Sequence, residues 1–143
     1  MGKKQYKLGK DFEEQLCWWL SGNGYYVIYN EKGVSGSQPA DIVAIKNNIA
    51  TLIECKHLEN KTGIFNLSRL EANQFLAYKK FKEKNNTNMI IAIKWDNKVY
   101  FINFDLLQFF DKSIDLKKIE PNIINFFGEV VICGLKEVKK LKN

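Results

Sequence analysis

Asp41 and the triplet Glu54-Cys55-Lys56 are the residues of this chain whose types and spacing most directly suggest chemistry. The triplet ends an apolar run, IATLI (49–53), that reads as a sheet strand. Side chains alternate along a strand, so Glu54 and Lys56 share one face and Cys55 points to the other, into the core. ADIVAI (40–45) reads as the preceding strand and KNN (46–48) as a tight turn, which predicts a hairpin. That hairpin sets Asp41 roughly opposite Glu54. Two carboxylates side by side repel unless a cation sits between them. A hard divalent ion such as Mg²⁺ favours oxygen ligands and keeps several waters, and the Cys55 backbone carbonyl is a candidate third ligand. Lys56 would contact an attacking water or the charge developing on a phosphate. This set suits metal-assisted phosphodiester hydrolysis.

The triplet by itself is uninformative. Glu-x-Lys occurs three times, at Glu54–Lys56, Glu59–Lys61 and Glu137–Lys139, and only the first copy ends an apolar strand. An ordinary surface ion pair at a strand end fits that spacing equally well. What lifts the first copy above its repeats is the set of elements around it.

Phe12, Leu16, Trp19 and Leu20 have the spacing of an amphipathic helix over 10–22, ended by Gly22 and Gly24. YYVIYN (25–30) is a strand, and EKGVSGSQP (31–39) a polar Gly/Ser loop. HLENKTGIFN (57–66) reads as a further polar loop. Ser68-Arg69-Leu70-Glu71 has the pattern of a capping box opening a helix over 69–84, with Leu70, Phe75, Leu76, Tyr78 and Phe81 on its apolar side. MIIAIKW (89–95) and KVYFINF (98–104) are strands about an Asp96-Asn97 turn, and DLLQFF (105–110) a short helix. GEVVICG (128–134) is a candidate strand. The order αβββαββα indicates one α/β domain around a mixed sheet over residues 1–143, with a basic arm at 1–9 and a basic tail at 135–143.

A chain of 143 residues with 45% hydrophobic residues can bury one core. No run of 18 apolar residues suggests a membrane span, and the N-terminal segment lacks the apolar core of a secretory signal. Cys17, Cys55 and Cys133 are too widely spaced for a disulfide framework or zinc site, so a reducing cytoplasmic setting is expected. The net charge of +6 is compatible with a polyanionic partner such as nucleic acid. Lysine outnumbers arginine 21 to 1, so bidentate base contacts are scarce and phosphate and shape recognition are expected.

The segments P-A-D-I-V-A-I and L-I-E-C-K resemble the PD-(D/E)xK motif of the restriction-endonuclease-like nucleases. G-K-D-F-E, G-Y-Y-V, G-V-S-G-S-Q-P-A-D-I-V-A-I-K and L-I-E-C-K resemble, in order and spacing, the archaeal Hjc-type Holliday junction resolvases. K-T-G-I-F-N-L-S-R-L-E-A-N-Q, followed by I-I-A-I and V-Y-F-I, resembles the RecU-type resolvases of bacteria and their phages. The resemblance covers about residues 9–107. It departs at Ala40, which occupies the usual proline position with Pro39 one earlier, and in lacking the long RecU-type insertion between the early strands.

The resemblance implies a restriction-endonuclease-like α/β fold and a Mg²⁺-dependent endonuclease, with Mn²⁺ able to substitute. It implies a homodimer that resolves four-way DNA junctions. It places Glu13, Asp41 and Glu54 at the metal, with Lys56 as catalytic lysine and Gln74 approaching from the second helix. A restriction- or repair-type nuclease on duplex DNA, or a DNA-binding module without catalysis, are the alternatives. For DNA contact the candidates are Lys3, Lys4, Lys7 and Lys10, as a phosphate-binding arm or a plain basic tail. Ser35 and Ser37 in the Gly/Ser loop, Lys61 and Thr62 after the catalytic strand, and Arg69 complete them. His57 should point opposite to Lys56, and Glu14 away from Glu13. Trp18 and Trp19 suit core or dimer packing. Phe109, Phe110, Phe126 and Phe127 are candidates to cover a second subunit.

Overall fold

The computed structural model describes residues 2–30, 40–84, 88–126, 130–131 and 140–141. Within these, helix α1 (Gly2–Gly22) precedes β1 (Tyr26–Tyr29), β2 (Ile42–Lys46), β3 (Ile49–His57) and β4 (Ile64–Asn66). Helix α2 (Ala72–Glu83) leads into β5 (Met89–Trp95), β6 (Lys98–Asn103) and β7 (Ser113–Asp115), and β8 (Val130–Val131) pairs with β9 (Lys140–Leu141). Five strands form the central sheet in the order β1-β2-β3-β5-β6. Within it β3 and β5 run parallel, and the other neighbours are antiparallel. The mixed α/β sheet expected from the sequence is therefore present.

Both hairpins turn on residues that tolerate positive φ. Asn47 and Asn48 stand at φ 54° and 68°, and Asp96 and Asn97 at 54° and 58°, the signature of two-residue type I′ turns. The first turn pairs Lys46 with Ile49 and runs the ladder to Ile42 opposite Ile53. Asp41, one residue before β2, donates its N–H to the Ile53 carbonyl at 3.0 Å, so it bulges against Ile53 instead of carrying the ladder on to Glu54, the partner that the hairpin spacing suggests.

The sheet divides the core. Phe12, Leu16 and Leu20 of α1 bury against Ile42, Ala44, Ile53, Cys55 and Ala92 on one face. On the other face Met89, Ile91, Ile93, Tyr100 and Ile102 pack against Phe65, Leu70, Phe104, Leu107, Ile114 and Leu116. Much of that cover comes from β4 and β7, an antiparallel pair in which Phe65 meets Ile114, both fully buried. The segment expected to be only a polar loop thus supplies a strand. Its three residues are too few to show periodicity, and their partner lies far along the chain. Gly63, at φ 73° just before β4, has no room for a side chain: an added Cβ would lie 2.8 Å from the Trp95 ring.

Other boundaries also shift. Helix α1 starts at Gly2 rather than at residue 10, so Lys3, Lys4, Lys7 and Lys10 lie on helical backbone. Helix α2 starts at Ala72, after a separate 3-10 turn (Leu67–Arg69). The segment expected as a short helix is a 3-10 stretch, Phe104–Phe109. Phe126 is a core residue rather than a surface aromatic, and Phe110 packs at the core's edge. Phe109, in contrast, is 75% exposed. Phe127 lies outside the described residues, as do most of 128–143.

Candidate active site

Strand β3 is hydrogen-bonded to β5 through its even-numbered residues: Leu52 N–H donates to Asn88 and Leu58 N–H to Lys94. The odd-numbered backbone groups, Cys55 among them, therefore face the β2 side. Here β2 has already ended at Ile42, and the carboxylate of Asp41 takes the place of a ladder partner. Asp41 Oδ2 accepts the Cys55 N–H at 2.9 Å. The Cys55 carbonyl, on the same side of the strand, is thereby directed toward the same gap.

Glu54 and Lys56 lie on the α2 face of the sheet, one strand step apart. Lys56 Nζ is 3.8 Å from Glu54 Oε2, and both side chains are largely buried. The same Glu54 oxygen accepts a hydrogen bond from Gln74 Nε2 at 2.6 Å. Gln74 is aimed by the start of α2: its Oε1 accepts the Glu71 N–H at 2.9 Å, half of a capping box. The box is thus Glu71–Gln74, one turn beyond the expected Ser68–Glu71. Because a backbone N–H can only donate, the amide carbonyl must face Glu71, and the NH₂ is left for Glu54.

Glu13 approaches from the α1 face. It is buried, and its Oε1 accepts from the Tyr29 hydroxyl at 2.8 Å. Glu14, one residue on, is exposed. The three carboxylates converge electrostatically on Cys55. Burial first, then Asp41, Glu13 and Glu54, push its thiol well above the ordinary range. Cys17, on α1, is raised to about 12 by burial and by Glu13, Glu14 and Asp41. Both thiols are therefore neutral packing groups.

Among the described residues, no three His, Cys, Asp or Glu side chains close around one point as a complete cage. Mg²⁺ does not require one: it binds through one or two carboxylates and retains waters. Asp41, bonded to the Cys55 N–H, and Glu54, the residue before Cys55, are carboxylates of the kind that requirement names. Glu13 stands at the same end without joining them in a three-side-chain group.

The remaining candidates are placed as follows. Arg69 donates to the His57 carbonyl at 3.2 Å and lies over the Phe65 ring, and burial lowers its pKa. Thr62 accepts the Ile64 N–H through its hydroxyl, and Lys117 donates to its carbonyl. Lys61 is exposed and lines an open groove of about 960 Å³ past the end of β3, together with His57, Lys94 and Trp95. His57 packs edge-on against Phe12, on the face opposite Lys56. The side chains of Lys3, Lys4, Lys7 and Lys10, and the whole of Ser35 and Ser37, lie outside the described residues. Sequence reasoning missed Lys94, half-buried on the α1 face with its Nζ 3.4 Å from Gln15 Oε1. A lysine inside an otherwise apolar strand was the available signal. It also missed Tyr29, which carries none.

A sequence model of the archaeal Holliday junction resolvase (Hjc) family matches residues 4–131, across the helix, the hairpin and the strand that carry Glu13, Asp41, Glu54 and Lys56. The chain belongs to the Hjc family. The family is one of nucleases that resolve Holliday junctions, so the chain is a junction-resolving endonuclease. Among solved structures, the 1.6 Å structure of Archaeoglobus fulgidus Hjc, a Holliday junction resolvase from an archaeal hyperthermophile, is similar, with a TM-score of 0.57 and 22% identity. The match covers 74% of this chain and 85% of that one, and at this identity it speaks to the fold alone. The comparison with curated proteins returned no match.

Proposed function

We propose that this Hjc-family nuclease hydrolyses a phosphodiester at the strand end of β3 with the help of a divalent cation, Mg²⁺ or Mn²⁺. The observation that carries the reading is that Asp41 caps the Cys55 N–H at 2.9 Å, between Glu54 and Lys56, whose Nζ is 3.8 Å from Glu54. Asp41 and Glu54 would hold the ion with the Cys55 carbonyl, and Glu13 would complete its surroundings. When bound, the ion supplies Lewis acidity toward the phosphoryl oxygen and acidifies a coordinated water.

The chain's own residues do the rest. Lys56 brings a cation to the edge of the carboxylate pair, where charge develops on the phosphate. Gln74 fixes the Glu54 carboxylate from outside, so that little reorganisation is needed when substrate arrives. The groove beside His57 is lined by Lys61 and Lys94 but also by Glu59 and Asp96, so its charge is balanced and a DNA backbone there would rely on local contact with Lys61. With a single arginine, the protein would follow phosphates and junction shape rather than base edges.

We place a second copy of the chain on the exposed apolar side of α2. Phe75 and Leu76 are 40% and 58% exposed there, and Phe75 touches Phe104 at the start of the 3-10 stretch that bears exposed Leu106 and Phe109. A homodimer would present two sites to the symmetry-related strands of a junction. The setting would be the cytoplasm, where DNA and reduced thiols coexist.

The test is cleavage of a labelled synthetic four-way junction with and without Mg²⁺, using Asp41→Asn and Glu54→Gln. Asn can still accept the Cys55 N–H, so the fold is retained. Both variants should bind the junction and fail to cut it. Wild-type cleavage by either one rules out this site.

A further inference from the structure

Two consecutive residues at the end of β1 grip the two sides of the candidate site. Tyr29 donates its phenol hydrogen to Glu13 Oε1 at 2.8 Å. Asn30 donates its backbone N–H to the Asp41 carbonyl at 2.9 Å. Its side-chain Nδ2 donates to the Ala40 carbonyl at 2.8 Å. Neither residue belongs to the D…E-x-K pattern, and neither has a role in the chemistry described above.

We propose that Tyr29 and Asn30 act as one positioning unit, which sets the Glu13 carboxylate against Asp41 for a divalent cation. The proposal rests on the reading that these carboxylates serve the metal. Its physical basis is the order of the chain. Glu13 sits on α1 and Asp41 just before β2, so no local turn fixes one relative to the other. Strand β1 is hydrogen-bonded to β2, with Tyr29 opposite Ile42. The Asn30–Asp41 bond continues that ladder by one step. Tyr29, on the α1 face of the same strand, then transmits the position of the ladder to Glu13.

A glutamate has three side-chain torsions, and immobilising them on ion binding costs entropy. A carboxylate already held by a phenol has lost part of that freedom on folding. The phenol also suits the task chemically. It is a single donor of fixed reach, held 2.8 Å from the Glu13 carboxylate.

The experiment measures Mn²⁺ binding to the full-length protein without DNA, by loss of the free-ion electron paramagnetic resonance signal. The variants are Tyr29→Phe, Asn30→Ala, Glu13→Gln and the double variant Tyr29→Phe/Glu13→Gln. Circular dichroism confirms folding. Tyr29→Phe should weaken Mn²⁺ binding by roughly tenfold, the scale of one hydrogen bond to a charged acceptor. Asn30→Ala should weaken it by a few-fold through Asp41, which keeps the question answerable if the first variant folds poorly. The Mg²⁺ midpoint for junction cleavage should rise in step. In the Glu13→Gln background, Tyr29→Phe should add nothing, because the group it positions is gone. If Glu13→Gln weakens binding while folded Tyr29→Phe and Asn30→Ala both stay within twofold of wild type, the positioning role is wrong. If Glu13→Gln itself binds Mn²⁺ as wild type does, the metal role of Glu13 falls and this proposal with it.

Discussion

Replacing Gln74 separates two tasks performed by one amide. Its Oε1 closes the start of α2 on the Glu71 N–H at 2.9 Å, and its Nε2 holds Glu54 Oε2 at 2.6 Å. Gln74→Ala removes both contacts. A hydrogen bond to a charged acceptor is worth about 1.5–3 kcal/mol. At about 1.4 kcal/mol per factor of ten, losing that bond from the transition state slows cleavage by roughly 10- to 150-fold. Losing the cap should cost about 1 kcal/mol of stability. Gln74→Glu divides the two effects. A carboxylate oxygen can still accept the Glu71 N–H, so the helix start survives, but the ionised group cannot donate to Glu54. It places a like charge against it instead. The assay is single-turnover cleavage of a labelled four-way junction at saturating enzyme and Mg²⁺, with thermal melts in parallel. Gln74→Ala should lose both rate and melting temperature. Gln74→Glu should lose at least as much rate while keeping an intact helix start, read by amide exchange at the N–H groups of position 74 and Phe75. Cleavage by Gln74→Ala within twofold of wild type would show that Glu54 needs no external orientation.

Two further expectations concern the scaffold. Gly63→Ala forces a left-handed residue with a Cβ 2.8 Å from the Trp95 ring, and should cost about 2 kcal/mol or more, a fall of roughly 4–8 °C in melting temperature; an unchanged melt would mean that the loop relaxes freely. Burial and neighbouring carboxylates raise the Cys17 pKa from 9.0 to about 12. A raised folded-state value stabilises the fold below the unfolded value, and that contribution is lost as pH climbs from about 9 toward 12. The wild-type melting temperature should therefore drop more steeply over that interval than that of Cys17→Ser, and parallel curves would contradict the burial argument.

Some of the site was legible in the chain because its rules are local. Strand alternation puts Glu54 and Lys56 on one face and Cys55 on the other, and Cys55 is buried against α1. The Asn47-Asn48 turn fixes the register of the hairpin as far as Ile42 opposite Ile53, and so brings Asp41 to the end of β3 that bears Glu54. Helical periodicity placed Phe12, Leu16 and Leu20 in the core and separated Glu13 from Glu14. Each of these inferences needs only a few neighbouring residues, because backbone geometry repeats over that distance.

Local rules failed where the partner came from elsewhere. Ser68–Glu71 satisfies the capping pattern better than Glu71–Gln74, which has no serine or threonine at its head. Packing of Leu70, 6% exposed, into the core pulls the segment out of the helix and moves the start to Ala72. Phe65 gave no strand signal because its partner, Ile114, is some fifty residues away. Sequence alone thus determined which residues could do the chemistry and that Asp41 and Glu54 belong to the two arms of one hairpin. Only the tertiary structure decided what holds them: an amide aimed by a helix cap at Glu54, and a phenol at the end of β1 on Glu13. Those contacts join elements that no repeat connects, and only the closing of the core around the sheet brings them within hydrogen-bond reach.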